Sequence, residues 1–137
     1  MASKSDYLEN KVLDHMLGKA GLTFVSGACY IALCTVVPTD ASTGATITEA
    51  NYTTYARKQV AAADWNAAAS GQCTNSALQT MAACTAGSST IIGLALLDAA
   101  AIGAGNILYW TTVTSKTIDT SNTPPTIAIG GLVVNED

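Results

Sequence analysis

The feature that most restricts the fold is the run Ser89-Thr90-Ile91-Ile92-Gly93-Leu94-Ala95-Leu96-Leu97-Asp98. It is strongly apolar yet only of strand length, well short of the about 20 residues that cross a bilayer. It therefore reads as a β-strand. The stretch Ala28-Cys29-Tyr30-Ile31-Ala32-Leu33-Cys34-Thr35 is also apolar and β-prone, and Pro38 follows it. It reads as a central strand. Residues 55–60, 77–84 and 106–114 are further strand candidates, the last of them rich in Thr. Thr126-Ile127-Ala128-Ile129 and Leu132-Val133-Val134 read as one final strand, with Gly130-Gly131 as a bulge or bend inside it. Residues 39–53 and 99–106 are polar or small-residue loops, and Asn122-Thr123-Pro124-Pro125 is a turn. Residues 61–71 are Ala-rich, but Asp64, Asn66, Ser70 and Gly71 interrupt any helix, so an irregular segment is expected. Short strands separated by turns, without long helices between them, exclude a parallel α/β fold. They predict a mainly β chain, an antiparallel β-sandwich or barrel-like domain.

One helix is expected, at the N-terminus. Ser5 or Asp6 can cap it, and Asp6 with Glu9 has capping-box spacing. Leu8, Val12, Leu13, Met16 and Leu17 recur along one side, and Gly18 is a natural left-handed stop. About three turns are not stable alone in water. The apolar stripe must dock on the chain's own β domain or on a neighbouring subunit. With 137 residues the chain is expected to be an N-terminal helix or arm, 1–20, followed by a single β domain, 21–137.

Charged residues make up 12% of the chain, against about 25% in typical soluble proteins. Interface cores are depleted in charge, so a surface this poor in Lys and Glu suits a protein covered by other subunits. Net charge is −4, and Arg57-Lys58 is the one adjacent pair of cations. Nucleic-acid binding needs a clustered basic footprint and is not expected. The polar start Met1-Ala2-Ser3-Lys4-Ser5-Asp6 has no apolar core, so no secretory signal is expected, and no run is long enough for a membrane span. Cys29, Cys34, Cys73 and Cys84 form no Cys-x-x-Cys pair. They read as small buried hydrophobes, with a disulfide left open.

Catalytic constellations are each short of a member. His15 is the single His and falls in the last turn of the helix, where a cap or surface role is expected. Asp40, Glu49, Asp64, Asp98 and Asp119 fall mostly in loops or turns, where Asp usually bonds nearby backbone. Gly103-Ala104-Gly105 lacks the third Gly and the Lys of a phosphate loop. One His cannot complete a usual zinc set. No catalytic, cofactor-binding or metal-binding residue is therefore expected. Trp65 and Trp110 could stack on sugar rings, but core or interface anchors are the commoner use. The candidate interface residues are Leu8, Val12, Met16, Trp65 and Trp110.

Several motifs, in order, resemble a family of small tailed-bacteriophage virion proteins, capsid cement or tail-fibre-associated. The opening residues run Met1-Ala2-Ser3-Lys4-Ser5-Asp6-Tyr7-Leu8-Glu9-Asn10-Lys11-Val12-Leu13-Asp14-His15. Next come Tyr30-Ile31-Ala32-Leu33-Cys34-Thr35 with Pro38-Thr39-Asp40, then Tyr55-Ala56-Arg57-Lys58. Gly93-Leu94-Ala95-Leu96-Leu97-Asp98-Ala99-Ala100, Gly105-Asn106-Ile107-Leu108-Tyr109-Trp110 and Thr114-Ser115-Lys116-Thr117 complete the set. Cys34 and Leu96 stand where the family commonly carries aromatics, which implies a core repacked with smaller side chains. The resemblance implies a non-enzymatic structural protein of a phage particle, assembled in the host bacterial cytoplasm. Short length, the absence of fibre-shaft repeats and low charge point to a capsid cement (decoration) protein bound to major capsid protein. A tail or tail-fibre component is the alternative, and a carbohydrate-binding module using the two Trp residues a further one. Self-association is expected, with a trimer favoured, and no cofactor, nucleic acid or membrane as partner.

Overall fold

The computed structural model describes residues 3–20 and 28–136. Met1 and Ala2 of the N-terminal motif, and the first residues of the expected β domain, 21–27, lie outside them. The elements are β1 (Ser3–Lys4), α1 (Asp6–Met16), β2 (Ala28–Cys34), β3 (Lys58–Ala61), β4 (Gln72–Thr74), β5 (Gln79–Thr80), β6 (Ser88–Leu97), β7 (Ile107–Asp119), β8 (Thr126–Ile127) and β9 (Val133–Asn135). A 3-10 turn occupies Ala62–Asp64. The chain is mainly β, as the sequence predicts, and among the described residues the sheets are antiparallel with no closed barrel.

Five strands form the main sheet in the order β1-β7-β6-β2-β3. The two apolar runs, β6 and β2, lie side by side in its middle, with Ile31 opposite Leu96 and Leu33 opposite Leu94. A strand covered on both faces cannot alternate apolar with polar. The last residues of β6 obey this rule. Leu96 joins a first cluster with Ile31, Leu33, Val60, Ile91 and Ile118. Ala95 and Leu97 point the other way, into a second cluster with Ala32, Cys34 and Ile107. The second face includes the small side chains of Ala32, Cys34 and Ala95, and a loop approaches it closely. A Cβ on Gly93 would stand 3.0 Å from the Pro38 ring. Cys34, at 0% exposure, is one of these small groups.

The first face is covered by two short ribbons, β4–β9 and β5–β8, and by the loops that join them. Here three sequence expectations need correction. The strand expected at 55–60 begins at Lys58, because Tyr55 and Arg57 are drawn into a side-chain network described below. The strand expected at 77–84 shrinks to Gln79–Thr80. Side chains take the carbonyls beyond it: Tyr52 donates to Ala82 O and Thr54 to Ala83 O. The single final strand is two strands with different partners. Gly130, at φ +73°, allows a tight turn closed by Gly131 N to Ala128 O, 2.9 Å. That turn sends β8 to β5 and β9 to β4.

The N-terminal segment is stitched to the sheet edge. Ser3 and Lys4 pair with Trp110 and Tyr109 of β7. Ser5 then ends the strand and starts the helix. Its N–H donates to Leu108 O at 3.1 Å, its hydroxyl donates to Ile107 O and also accepts from Leu8 N at 3.3 Å. Ser5, not Asp6, is the N-cap. Because Ser5 is fully buried, Ser5→Ala removes a cap and leaves a carbonyl without its donor. The expected loss is about 2 kcal/mol in urea unfolding, largely restored by Ser5→Thr. A loss under about 0.5 kcal/mol would show that the hydroxyl bond to Ile107 contributes nothing.

Candidate interaction site

Three features stand out as sites: a buried polar lock, an apolar groove beneath the C-terminal segment, and an exposed apolar helix end. The lock centres on Arg57. Its guanidinium binds Glu49 through Nη2 at 2.7 Å and Nε at 3.2 Å. The side chains of the pair are 0% and 4% exposed. Nη1 donates to Ala99 O and Ala104 O, both at 2.8 Å, and Nη2 to Gly44 O at 3.3 Å. Tyr55 donates to Glu49 at 2.6 Å and accepts from Leu33 N at 3.1 Å. Burial and the bond to Glu49 push the Tyr55 phenol far above its usual range. Burial, with the Glu49 charge behind it and Arg57 opposing, pushes the Cys34 thiol up to about 12. One side chain thus ties the loop after β6 to the loop around Gly44. The packing there admits no added atoms. A Cβ on Gly44 would stand 2.0 Å from Ala104 O, and one on Gly105, at φ +83°, 2.5 Å from the Ala99 methyl.

The groove lies on the first face of the sheet. Its floor includes Ile31, Leu94, Leu96 and Val113, and Thr126, Ile127 and residues 131–135 form its roof. Its volume is about 510 Å³ and no charged side chain lines it. Asn75, fully buried, holds the roof: Nδ2 donates to Ala77 O and Ala128 O at 2.8 and 2.9 Å, and Oδ1 accepts from Leu132 N at 2.8 Å. At the rim, Glu136 accepts from Lys4 at 2.7 Å and from the Tyr109 hydroxyl. Burial draws the Glu136 pKa up, but the hydrogen bonds from Lys4 and Tyr109 and the Lys4 charge outweigh it, leaving the carboxyl below its ordinary value. Burial, followed by the bond to Glu136, raises the Tyr109 phenol.

This rim contact ties the N-terminal strand to the C-terminal one, and its pH dependence follows from the sign of the shift. A depressed carboxylate contributes stability above its unfolded pKa and loses it as pH falls through the folded value. Glu136 is half-exposed, so the contribution is small, under about 1 kcal/mol. The protection factors of the Val134 and Asn135 amides, taken against the intrinsic exchange rate at each pH, are expected to fall on acidification below the ordinary carboxylate range. Glu136→Gln should show that lower protection already at pH 7. Equal protection in both proteins across the range would remove the rim contact as a tether.

The helix end is the third feature. Leu8 is buried at 4% and docks the first turn. Val12 is half-buried, and the end of the stripe is open: Leu13, Met16 and Leu17 are 56%, 77% and 74% exposed. These are positions i, i+3 and i+4 of one helical face.

The candidate interface residues therefore part company. Leu8 is buried within the chain. Val12 is half-buried, and Met16 is open to solvent. Trp65 packs against the first cluster, and Trp110 against the second. The Trp110 indole N–H also donates to Asp40 at 3.1 Å. The two rings are therefore not brought together. His15 is exposed at the helix end. The carboxylates named from sequence each meet a structural partner: Asp40 with Trp110, Glu49 with Arg57, Asp64 with Ala61 N, Asp98 with Asn106 and Asp119 with Ser121. The groove was not legible in the sequence, since its walls come from strands far apart along the chain. Arg57 carried a weak signal as one of six cations in the chain.

Arg57 and several carboxylates make contacts within the chain, while the groove and the helix end are apolar. The chain belongs to the Podophage GP4 fiber I protein gp80 family, which it matches over residues 3–135. This is a family of tailed-phage virion proteins, in agreement with the resemblance read from the motifs. No curated protein matches the chain closely enough to serve as a relative. Motif residues that carry the resemblance, Asp40, Arg57, Ala99, Gly105 and Trp110, supply the lock and the contacts beside it. Among the described residues, no helix is long and apolar enough to cross a membrane.

Proposed function

We propose that this protein is a non-enzymatic structural subunit of a phage particle, built into or onto its fibre. The observation that carries the reading is the match to a fibre family along nearly the whole chain. An apolar helix end and an apolar groove on one small β chain suit a subunit covered by neighbours. The subunit self-associates, with a trimer as the expected stoichiometry, and contacts other virion proteins through apolar and Thr-rich surface. Contacts with few ion pairs are little screened by salt. The protein is therefore expected to stay on particles in 1 M NaCl.

Immunogold labelling of intact particles tests the address. Gold on the tail or its fibres supports the proposal. Gold distributed over the shell replaces it with capsid cement bound to major capsid protein. Absence from purified particles defeats both.

A further inference from the structure

We propose that the segments at 3–6 and 133–136 form one clamp, which couples the docking of helix α1 to the closing of the groove's roof. The pivot is Glu136. Its carboxylate accepts from the Lys4 ammonium at 2.7 Å and from the Tyr109 hydroxyl. Lys4 and Tyr109 stand opposite one another in the β1–β7 ladder. Cross-strand partners project from the same face of a sheet, so one carboxylate reaches both. The clamp therefore joins β1 beside the helix, β7 in the main sheet and the end of β9.

Each side of the clamp leads to a different part of the molecule. On one side, the residue after Lys4 is the root of α1. Ser5 caps the helix, and its N–H donates to Leu108 O at 3.1 Å. The Asp6 N–H donates to Asp40 O at 3.0 Å. Lys4 cannot leave its place in the ladder without drawing Ser5 and the first turn of α1 with it. On the other side, Glu136 follows the roof. Val133, Val134 and Asn135 line the groove, as does Tyr109. The strand β9 pairs with β4, a three-residue strand outside the main sheet. The Glu136 N–H donates to Gly71 O at 2.7 Å, and the Gln72 amide donates to Asn135 at 2.9 Å. Asn75 fastens the roof at Ala128 and Leu132. The Glu136 side chain fastens its far end to the sheet edge.

The side chains of Lys4 and Glu136 are 22% and 49% exposed. A pair this exposed shifts a local equilibrium by about two- to fivefold, not by orders of magnitude. The clamp can therefore open without unfolding the sheet. Whatever draws β1 and α1 off the edge of β7 loosens the roof, and whatever lifts the roof loosens α1. Such coupling is reciprocal by thermodynamic necessity. The device does not depend on where in a particle the chain sits.

Amide hydrogen exchange on the full chain tests the clamp, read by NMR as protection factors at pH 7. Lys4→Met keeps the apolar stem and removes the charge. It should lower protection about two- to fivefold at the Val134 and Glu136 amides. Glu136→Gln should lower protection by a similar factor at Ser5 and Asp6, on the other side. Lys4→Arg should restore the wild-type values in β9. Lys4→Met combined with Glu136→Gln should be no looser at any of these amides than the looser single variant, since both remove one contact. The amides of β2 and β6 should keep their protection in every variant. Loss confined to the mutated segment overturns the proposal, because the two segments then open independently. Losses that multiply in the double variant overturn it too. So does an equal loss in β2 and β6, which reports global stability and no clamp.

Discussion

Arg57→Leu is expected to be the most damaging single substitution in the protein. The variant leaves Glu49 buried, its side chain 4% exposed, without its counter-charge. It also withdraws the donors from Gly44 O, Ala99 O and Ala104 O. Removing one partner of a buried ion pair typically costs about 3–5 kcal/mol. For a chain of this length that corresponds to ~10–20 °C in the thermal midpoint. Calorimetry or chemical unfolding measures it. Replacing both partners, Arg57→Met with Glu49→Gln, should recover a good part of the loss. The amide still accepts from Tyr55, and no uncompensated charge remains inside. If the double variant is no better than Arg57→Leu alone, the loop carbonyls rather than the buried charge carry the energy. If Arg57→Leu costs under about 1 kcal/mol, the pair behaves as a surface pair and the lock is not a lock.

Asn75→Leu should come next. The substitution keeps the number and branching of the side-chain heavy atoms, and the site is fully buried. The amide serves Ala77 O, Ala128 O and Leu132 N, and leucine can serve none of them. Each orphaned buried group costs roughly 1–3 kcal/mol, less where the roof can lift and let water in. A total of about 3–5 kcal/mol is expected, and it should be localised. Hydrogen exchange should quicken at Leu132 and Gly130 while the β2–β6 amides keep their protection, because the central strands do not touch Asn75 through hydrogen bonds. Uniform loss of protection across the sheet would mean that the roof and the sheet unfold as one unit, which would remove the roof's role as an independent cover of the groove.

Legibility of the fold tracked the range of the interactions involved. The runs at 28–35 and 89–98 were recognisable because a strand buried on both faces must be apolar throughout, whatever lies beside it. The N-terminal helix was recognisable because a cap and a stop are local signals. Strand ends were harder. Residues 55–57 look β-prone, yet Tyr55 and Arg57 spend their polar groups on Glu49, Leu33 N and distant loops, so the ladder starts at Lys58. Residues 126–134 look like one strand, since nothing local says that Asn75 will hold the turn at Gly130 from 55 residues away. The stripe on the helix was legible as apolar, but its division into a docked Leu8 and exposed Leu13, Met16 and Leu17 depends on where the sheet edge ends.

What composition and pattern established is a β-rich chain, poor in charge, with one short helix and a resemblance to phage virion proteins. Those properties are local or additive, so they survive without knowledge of neighbours. The lock, the groove and the free helix end were decided by the tertiary arrangement. Each joins residues from segments 40 or more positions apart, or depends on a surface left uncovered. Pairing across such distances is set by the packing of the whole sheet, and no window of sequence contains it.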